Sequence, residues 1–183
     1  GSAAPALVEA ARARDAQRVA ALLAEGADVA AAAEDGSTAL HWASRFDDAG
    51  LVTRLLDAGA SATARTRLNV TPLSLAALNG NAEVIETLLE HGADANERSE
   101  EGQTALMLAA RNGRPEAVAV LLSHGADVEA TEPFRGQTAL MWAAGEGNAA
   151  AAAALLEHGA KVDARSKAGF TALLFAVRNA QLE

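Results

Sequence analysis

Four histidines, His41, His91, His124 and His158, are the side chains of this sequence best suited to proton transfer or metal binding near neutral pH. Their spacing argues against both. His91, His124 and His158 each precede a Gly-Ala pair and recur at intervals of 33 and 34 residues. They form a ladder, whereas metal ligands must converge on one point. His41 has no nucleophile and oxyanion donors arranged around it in sequence. Ser74 and Ser123 lack the sharp strand-to-helix turn that exposes an activated serine. Glu100-Glu101 and Asp47-Asp48 read as exposed turn residues rather than a catalytic carboxylate pair. The glycines occur singly at turns, not in a phosphate-cradling loop. Cysteine is absent, which removes disulfide and thiolate chemistry. We therefore assign these residues no catalytic, cofactor or metal site, and expect no enzymatic activity.

The net charge is −9 and the pI about 4.9. A nucleic-acid surface needs a basic stripe to replace counterions, so no nucleic-acid partner is expected. An anionic membrane surface is disfavoured for the same reason. No apolar run approaches the ~20 residues of a spanning helix, so no membrane insertion is expected. Gly1-Ser2 reads as the scar of tag cleavage, which hides the native start and any signal peptide.

What positions the remaining candidates is a repeat. Thr38-Ala39-Leu40-His41, Thr71-Pro72-Leu73-Ser74, Thr104-Ala105-Leu106-Met107, Thr138-Ala139-Leu140-Met141 and Thr171-Ala172-Leu173-Leu174 begin at intervals of 33, 33, 34 and 33 residues. Gly26-Ala27-Asp28, Gly59-Ala60-Ser61, Gly92-Ala93-Asp94, Gly125-Ala126-Asp127 and Gly159-Ala160-Lys161 keep the same beat. A fixed period of this length means a stacked array with a long open surface.

The unit around Thr71 shows the physics. Thr71 caps a helix through its hydroxyl, and Pro72 at the first helical position loses no hydrogen bond. Leu73, Ala76 and Ala77 share one face. Gly80 ends the helix in the left-handed conformation. Val84, Ile85, Leu88 and Leu89 form the inner face of a second helix, which Gly92 stops. The polar stretch that follows leads into the next helix as a hairpin.

These residues resemble the ankyrin repeat, whose pattern runs Gly-x-Thr-Pro-Leu-His, Ala-Ala, Gly, Leu-Leu and Gly-Ala-Asp-Val-Asn. The resemblance covers almost the whole chain from about Pro5. It implies an all-α, ankyrin-repeat solenoid of stacked helix-turn-helix units with projecting β-hairpin loops. We expect a single array over 3–183, with units of about 5–32, 33–65, 66–98, 99–131, 132–165 and 166–183, the last incomplete. It also implies a non-catalytic protein-protein interaction scaffold binding a protein partner of unknown identity. Structural self-assembly, or a regulatory region of an enzyme whose catalytic domain lies elsewhere, are the alternatives. In the family the Thr-x-x-His histidine, here His41, ties loops together by hydrogen bonds. Asn96 matches a finger asparagine that is hydroxylated in animal members, but here it reads as a turn residue. Segments such as Arg135-Gly136-Gln137-Thr138-Ala139-Leu140-Met141-Trp142-Ala143 are similar to arrays from environmental bacteria, many of them exported. That implies a bacterial origin and an exported or periplasmic location, with the cytoplasm as the alternative.

Departures from the pattern carry their own expectations. Pro5 to Ala32 lacks the Thr-Ala-Leu opening, and with Arg12, Arg14 and Arg18 it reads as an N-terminal cap with a polar outer side. Asp47 replaces a turn glycine and should strain or reshape that turn. The fifth unit has one extra finger residue around Glu132-Pro133-Phe134-Arg135. Ala149 to Ala154 should leave its second helix thinly packed. Gln181-Leu182-Glu183 matches the start of a second helix, so the array is expected to break off in mid-repeat, and its open C-terminal unit to fray or to self-associate with another molecule. Family partners touch the concave groove and hairpin tips. By repeat phase this implicates Trp42, Arg45, Phe46, Arg67, Asn79, Arg111, Asn112, Phe134, Arg135, Trp142, Phe170 and Arg178, with Phe175 and Asn179 also facing the groove. Trp, Phe and Arg are the types that anchor interfaces, although Trp42, Trp142 and Phe175 also suit packing between repeats.

Overall fold

Three inner helices begin where a threonine takes up a free N–H group of the first turn. The Thr71 hydroxyl accepts from the Ser74 N–H at 3.1 Å, and Thr104 and Thr138 do the same for Met107 and Met141 at 3.3 and 3.4 Å. Three of the second helices are capped by an acid or an amide: Asp15, Asp48 and Asn81 accept from the N–H groups of Arg18, Leu51 and Val84. The computed structural model describes residues 5–180, with Asn179 described by its backbone alone. The readings of Gly1-Ser2 and Gln181-Leu182-Glu183, and the groove position of the Asn179 side chain, lie outside the described residues.

Among the described residues eleven helices result. They pair as α1 (Ala6–Arg12) with α2 (Ala16–Ala24), α3 (Ala39–Arg45) with α4 (Ala49–Asp57), and α5 (Pro72–Asn79) with α6 (Ala82–Glu90). Next come α7 (Ala105–Arg111) with α8 (Pro115–Ser123) and α9 (Ala139–Gly145) with α10 (Ala149–Glu157). Helix α11 (Ala172–Ala180) stacks on α9. The first helices pack in series, α1 on α3 on α5 on α7 on α9 on α11, and α4, α6, α8 and α10 form a second layer. The architecture is the helical solenoid that the repeat implied.

The core runs between the layers. Leu73, Ala76 and Ala77 of α5 meet Val84, Ile85, Leu88 and Leu89 of α6, all buried. In α10 only Ala151 and Leu155 are buried, and Leu156 is exposed. The alanine run thus thins the packing, since each absent methylene forfeits burial worth ~0.8 kcal/mol.

Turns follow the expected chemistry. Gly80 closes α5 with φ 81°, a conformation that a side chain resists. Asp47 holds the equivalent turn at φ 57°, so the turn keeps its shape and the residue carries the strain. Among the described residues the fingers are less sheet-like than hairpins. Only single bridges form, Ala32 with Thr38 and Arg98 with Thr104. Elsewhere one or two backbone hydrogen bonds close a tight turn, such as Thr66 N–H to the Val70 carbonyl at 3.0 Å, which leaves no length for a ladder.

Buried polar groups lock neighbouring units together. His41 accepts at Nδ1 from the Thr38 N–H and hydroxyl (3.1 and 2.9 Å) and donates from Nε2 to the Val70 carbonyl of the next finger at 3.1 Å. Burial holds its pKa below the ordinary histidine value, so the ring is neutral and suited to this double role. Asn96 bridges forward, donating to the Gly125 carbonyl at 2.9 Å and accepting from the Asp127 N–H at 2.7 Å. Glu97 is buried where the other units carry Ala31, Ala64, Ala130 and Ala164. Burial pushes its carboxyl up, against the Thr71 hydroxyl that donates to it and the Arg65 guanidinium 3.6 Å away.

Candidate functional site

The inner helices end in a recurring cation. Arg12, Arg45, Arg111 and Arg178 occupy one position in four units, in the last turn of α1, α3, α7 and α11. Three residues earlier in the same phase stand Trp42, Trp142 and Phe175. The two rows meet. Arg12 and Arg45 lie 5.6 and 6.0 Å from the Trp42 ring centre, Arg111 lies 5.2 Å from Trp142, and Arg178 lies 5.4 Å from Phe175. Arg14 covers Phe46 at 5.2 Å, and Phe46 leans on Trp42 at 5.9 Å. These are cation–π distances.

The N-terminal unit therefore does more than cap the stack. Arg12 and Arg14 reach the aromatic residues of the next unit, whereas the sequence suggested a polar outer side. The phase of Arg12 with Arg45, Arg111 and Arg178 is the signal that places it there.

The fingers complete the surface. Arg67 and Leu68 stand at one tip, with Leu68 68% exposed, and they share a groove of about 200 Å³ with Trp42, Arg45 and Leu75. The fifth finger is built around Glu132, which is only 4% exposed. Its carboxylate accepts from the N–H groups of Phe134 (2.7 Å), Arg135 (2.9 Å) and Gln137 (2.9 Å). Burial alone would push this carboxyl up. The N–H groups of Arg135, Gln137 and Phe134, with the Arg135 charge, outweigh that and hold it below the ordinary value. The extra residue is thus folded onto an internal anion. Phe134, 72% exposed, and Arg135 project from it into grooves of about 520 and 390 Å³. These reach Trp142 on one side and Phe170, Phe175 and Arg178 on the other.

Not every candidate is free to meet a partner. The Asn79 amide donates to the Arg45 carbonyl at 2.8 Å and to Asp47 at 3.0 Å. The Asn112 amide donates to the Leu78 carbonyl at 2.9 Å. Both close the C-terminal carbonyls of the preceding inner helix. Phe175 is buried, edge-on to Phe170 at 6.0 Å, and Trp42 and Trp142 are half-buried, with Trp42 packed against the core. Glu132, Arg12 and Arg14 are the contributors that residue types alone did not single out.

Asp35, Ser37 and His41 line the groove beside Trp42, an assortment that invites a hydrolytic reading. The geometry denies it. The Ser37 hydroxyl donates to Asp35 at 2.7 Å, and both His41 nitrogens are committed to Thr38 and Val70. His41 does not reach the hydroxyl, and the Ser37 hydrogen bonds hold the Asp35 carboxyl below its ordinary value, which makes it a poor base. Among the described residues no group of three or more His, Asp or Glu could hold a metal ion, and no helix is long and apolar enough to cross a membrane.

Residues 48–132 and 129–183 match the family model for ankyrin repeats (3 copies). The chain is an ankyrin-repeat protein. Ankyrin repeats are generally protein–protein interaction modules, and their fold is typically non-catalytic. No curated protein matches the chain.

Proposed function

We propose that this ankyrin array is a non-catalytic interaction module that holds a protein partner on its concave side, between the inner-helix ends and the finger tips. One observation supports the reading. The arginines and large apolar side chains left accessible there, among them Phe134, Phe170, Leu68 and Arg135, are gathered on one side of the stack. Such side chains dominate binding energy where they cluster. Phe46, Arg111 and Arg135 are the residues whose truncation should cost most, ~2 kcal/mol each where they contact the partner. Selection from a random-peptide display library tests this. Selected peptides should lose binding to Phe134→Ala, Arg111→Ala and Arg135→Ala proteins and keep it with Glu86→Ala and Glu116→Ala on the outer helices. Peptides sensitive only to the outer-helix changes would refute the reading.

A second reading, self-association, rests on α11. Leu173 is 70% exposed, and Leu174 and Val177 are exposed beside it. Sedimentation of the chain and of its Leu173→Gln variant distinguishes it: a dimer that the substitution dissolves supports self-association, and a monomer in both cases removes it.

A further inference from the structure

We propose that the concave side takes an acidic protein segment, its carboxylates seated on arginines that aromatic rings hold in place. This rests on reading that side as the binding surface. Charge in this chain is sorted by side. The outer helices carry Glu83, Glu86, Glu90, Glu116 and Glu157, while α1, α3, α7 and α11 of the inner layer have an arginine in their last turn. Helix dipoles do not explain the sorting. A dipole favours cations at every helix C-terminus, yet α4, α6 and α10 end in Asp57, Glu90 and Glu157. Taken by helix layer, the outer helices are net acidic and the inner helices net basic. That arrangement attracts an anionic partner to one face and repels it from the other.

The arginines are presented for carboxylates. A guanidinium held near a ring by cation–π attraction keeps N–H groups that a carboxylate can take in a forked pair. Arg45, Arg135 and Arg178 make no side-chain hydrogen bond or ion pair with another described residue. By contrast Arg98 and Arg165 are spent on finger carbonyls. One seat is already filled from within: the Glu146 carboxylate lies 3.6 Å from Nε of Arg111. It marks where a partner's carboxylate would go, and it competes for the place.

Between the basic ends the surface turns apolar. Leu78 takes the arginine position in α5 and is 45% exposed, with Leu75 beside it. Packed helices lie about 8–10 Å apart, so Arg45 and Arg111, two inner helices apart, are separated by about 20 Å. An extended chain covers that distance in about six residues. The segment that fits has acidic residues about six positions apart, with apolar residues between them.

The probe is a fluorescein-labelled peptide with a glutamate pair at each end of a leucine-containing stretch of about six residues. Its controls are the same peptide with glutamines, and a single-stranded oligothymidylate of equal charge. Anisotropy should show the glutamate peptide bound, and the glutamine peptide about ten-fold weaker or more. Arg45→Ala and Arg111→Ala should each weaken binding about five-fold. Glu146→Gln, which frees Arg111, should tighten it, and Glu86→Gln should leave it unchanged. The proposal is overturned if the glutamate peptide does not bind, if glutamine or oligothymidylate serves as well, or if the arginine variants bind normally. Display-selected peptides that depend on the concave residues yet are neutral or basic would overturn this proposal alone. Selected peptides indifferent to those residues would overturn the binding surface as well.

Discussion

Glu132→Gln keeps the shape of the side chain and removes its charge, which isolates what the anion does for the fifth finger. Three N–H groups, those of Phe134, Arg135 and Gln137, converge on the Glu132 carboxylate at 2.7–2.9 Å. A hydrogen bond to a charged acceptor contributes ~1.5–3 kcal/mol and a neutral one ~0.5–1.5, so each bond loses about 1 kcal/mol. The glutamine amide also turns an N–H toward donors. The expected local loss is ~2–3 kcal/mol, which at ~1.4 kcal/mol per decade is roughly a 30- to 150-fold drop in exchange protection. The backbone bonds between Glu132 and Gln137, and from the Gly136 N–H to the Glu132 carbonyl, frame the loop in both proteins, so the effect should stay in the tip. Hydrogen exchange of the Arg135 and Gln137 amides reads it directly. The pH dependence supplies a second arm. The folded loop holds the carboxyl below its ordinary value of 4.5. Its contribution is therefore complete above that pH and is lost as pH falls through the lower folded-state value. The native loop should loosen in acid, and the glutamine variant should not change there. Unaltered protection of the two amides in Glu132→Gln, or an identical acid response in both proteins, would show that the loop stands without its anion.

The other expectations are shorter. His41→Met places at this position the residue that Met107 and Met141 already supply, but it removes the acceptor of the buried Thr38 N–H and one of the two donors to the Val70 carbonyl; a loss of ~1–3 kcal/mol at pH 7.5 is expected in urea unfolding. Because burial lowers the folded-state pKa of His41 below its ordinary 6.5, wild-type stability falls as pH drops below that value, so the gap between the two proteins should narrow by pH 5.5; a constant gap would count against the neutral-ring account. Ala152→Ile restores the side chain that Ile85 provides in α6 and should stabilise the chain by ~1–2 kcal/mol in the same assay, whereas a loss would mean that α10 is already closely packed. Amides of α11, whose Leu173, Leu174 and Val177 are uncovered, should exchange faster in a verified monomer than those around Leu88 and Leu121; equal protection would contradict the thin cover of that helix.

The architecture was legible because a repeat states its local rules several times. Threonine before Leu73 or Leu106, glycine at Gly80 and the paired leucines of α6 each predict an element alone, and their common phase predicts the stacking. What was not legible belonged to residues that break phase or act across it. Glu132 gave no sign beyond the extra residue, because its role depends on three N–H groups turning toward one carboxylate, and only the folded loop creates that convergence. Glu97 was silent for the same reason: a glutamate in a polar finger reads as solvated until the fold buries it against Thr71. Asn79 and Asn112 had the right phase for the groove, but their amides satisfy the carbonyls of the preceding helix. Arg12 illustrates the reverse. It belongs to the irregular first unit, yet its interval to Arg45 is one repeat, and that phase places it over Trp42. Net charge hides a similar pattern. A value of −9 describes an acidic molecule, but sorting helix residues by layer leaves the outer helices net acidic and the inner helices net basic. For a repeat array the informative quantity is therefore charge by repeat position, which the sequence contains and its sum conceals.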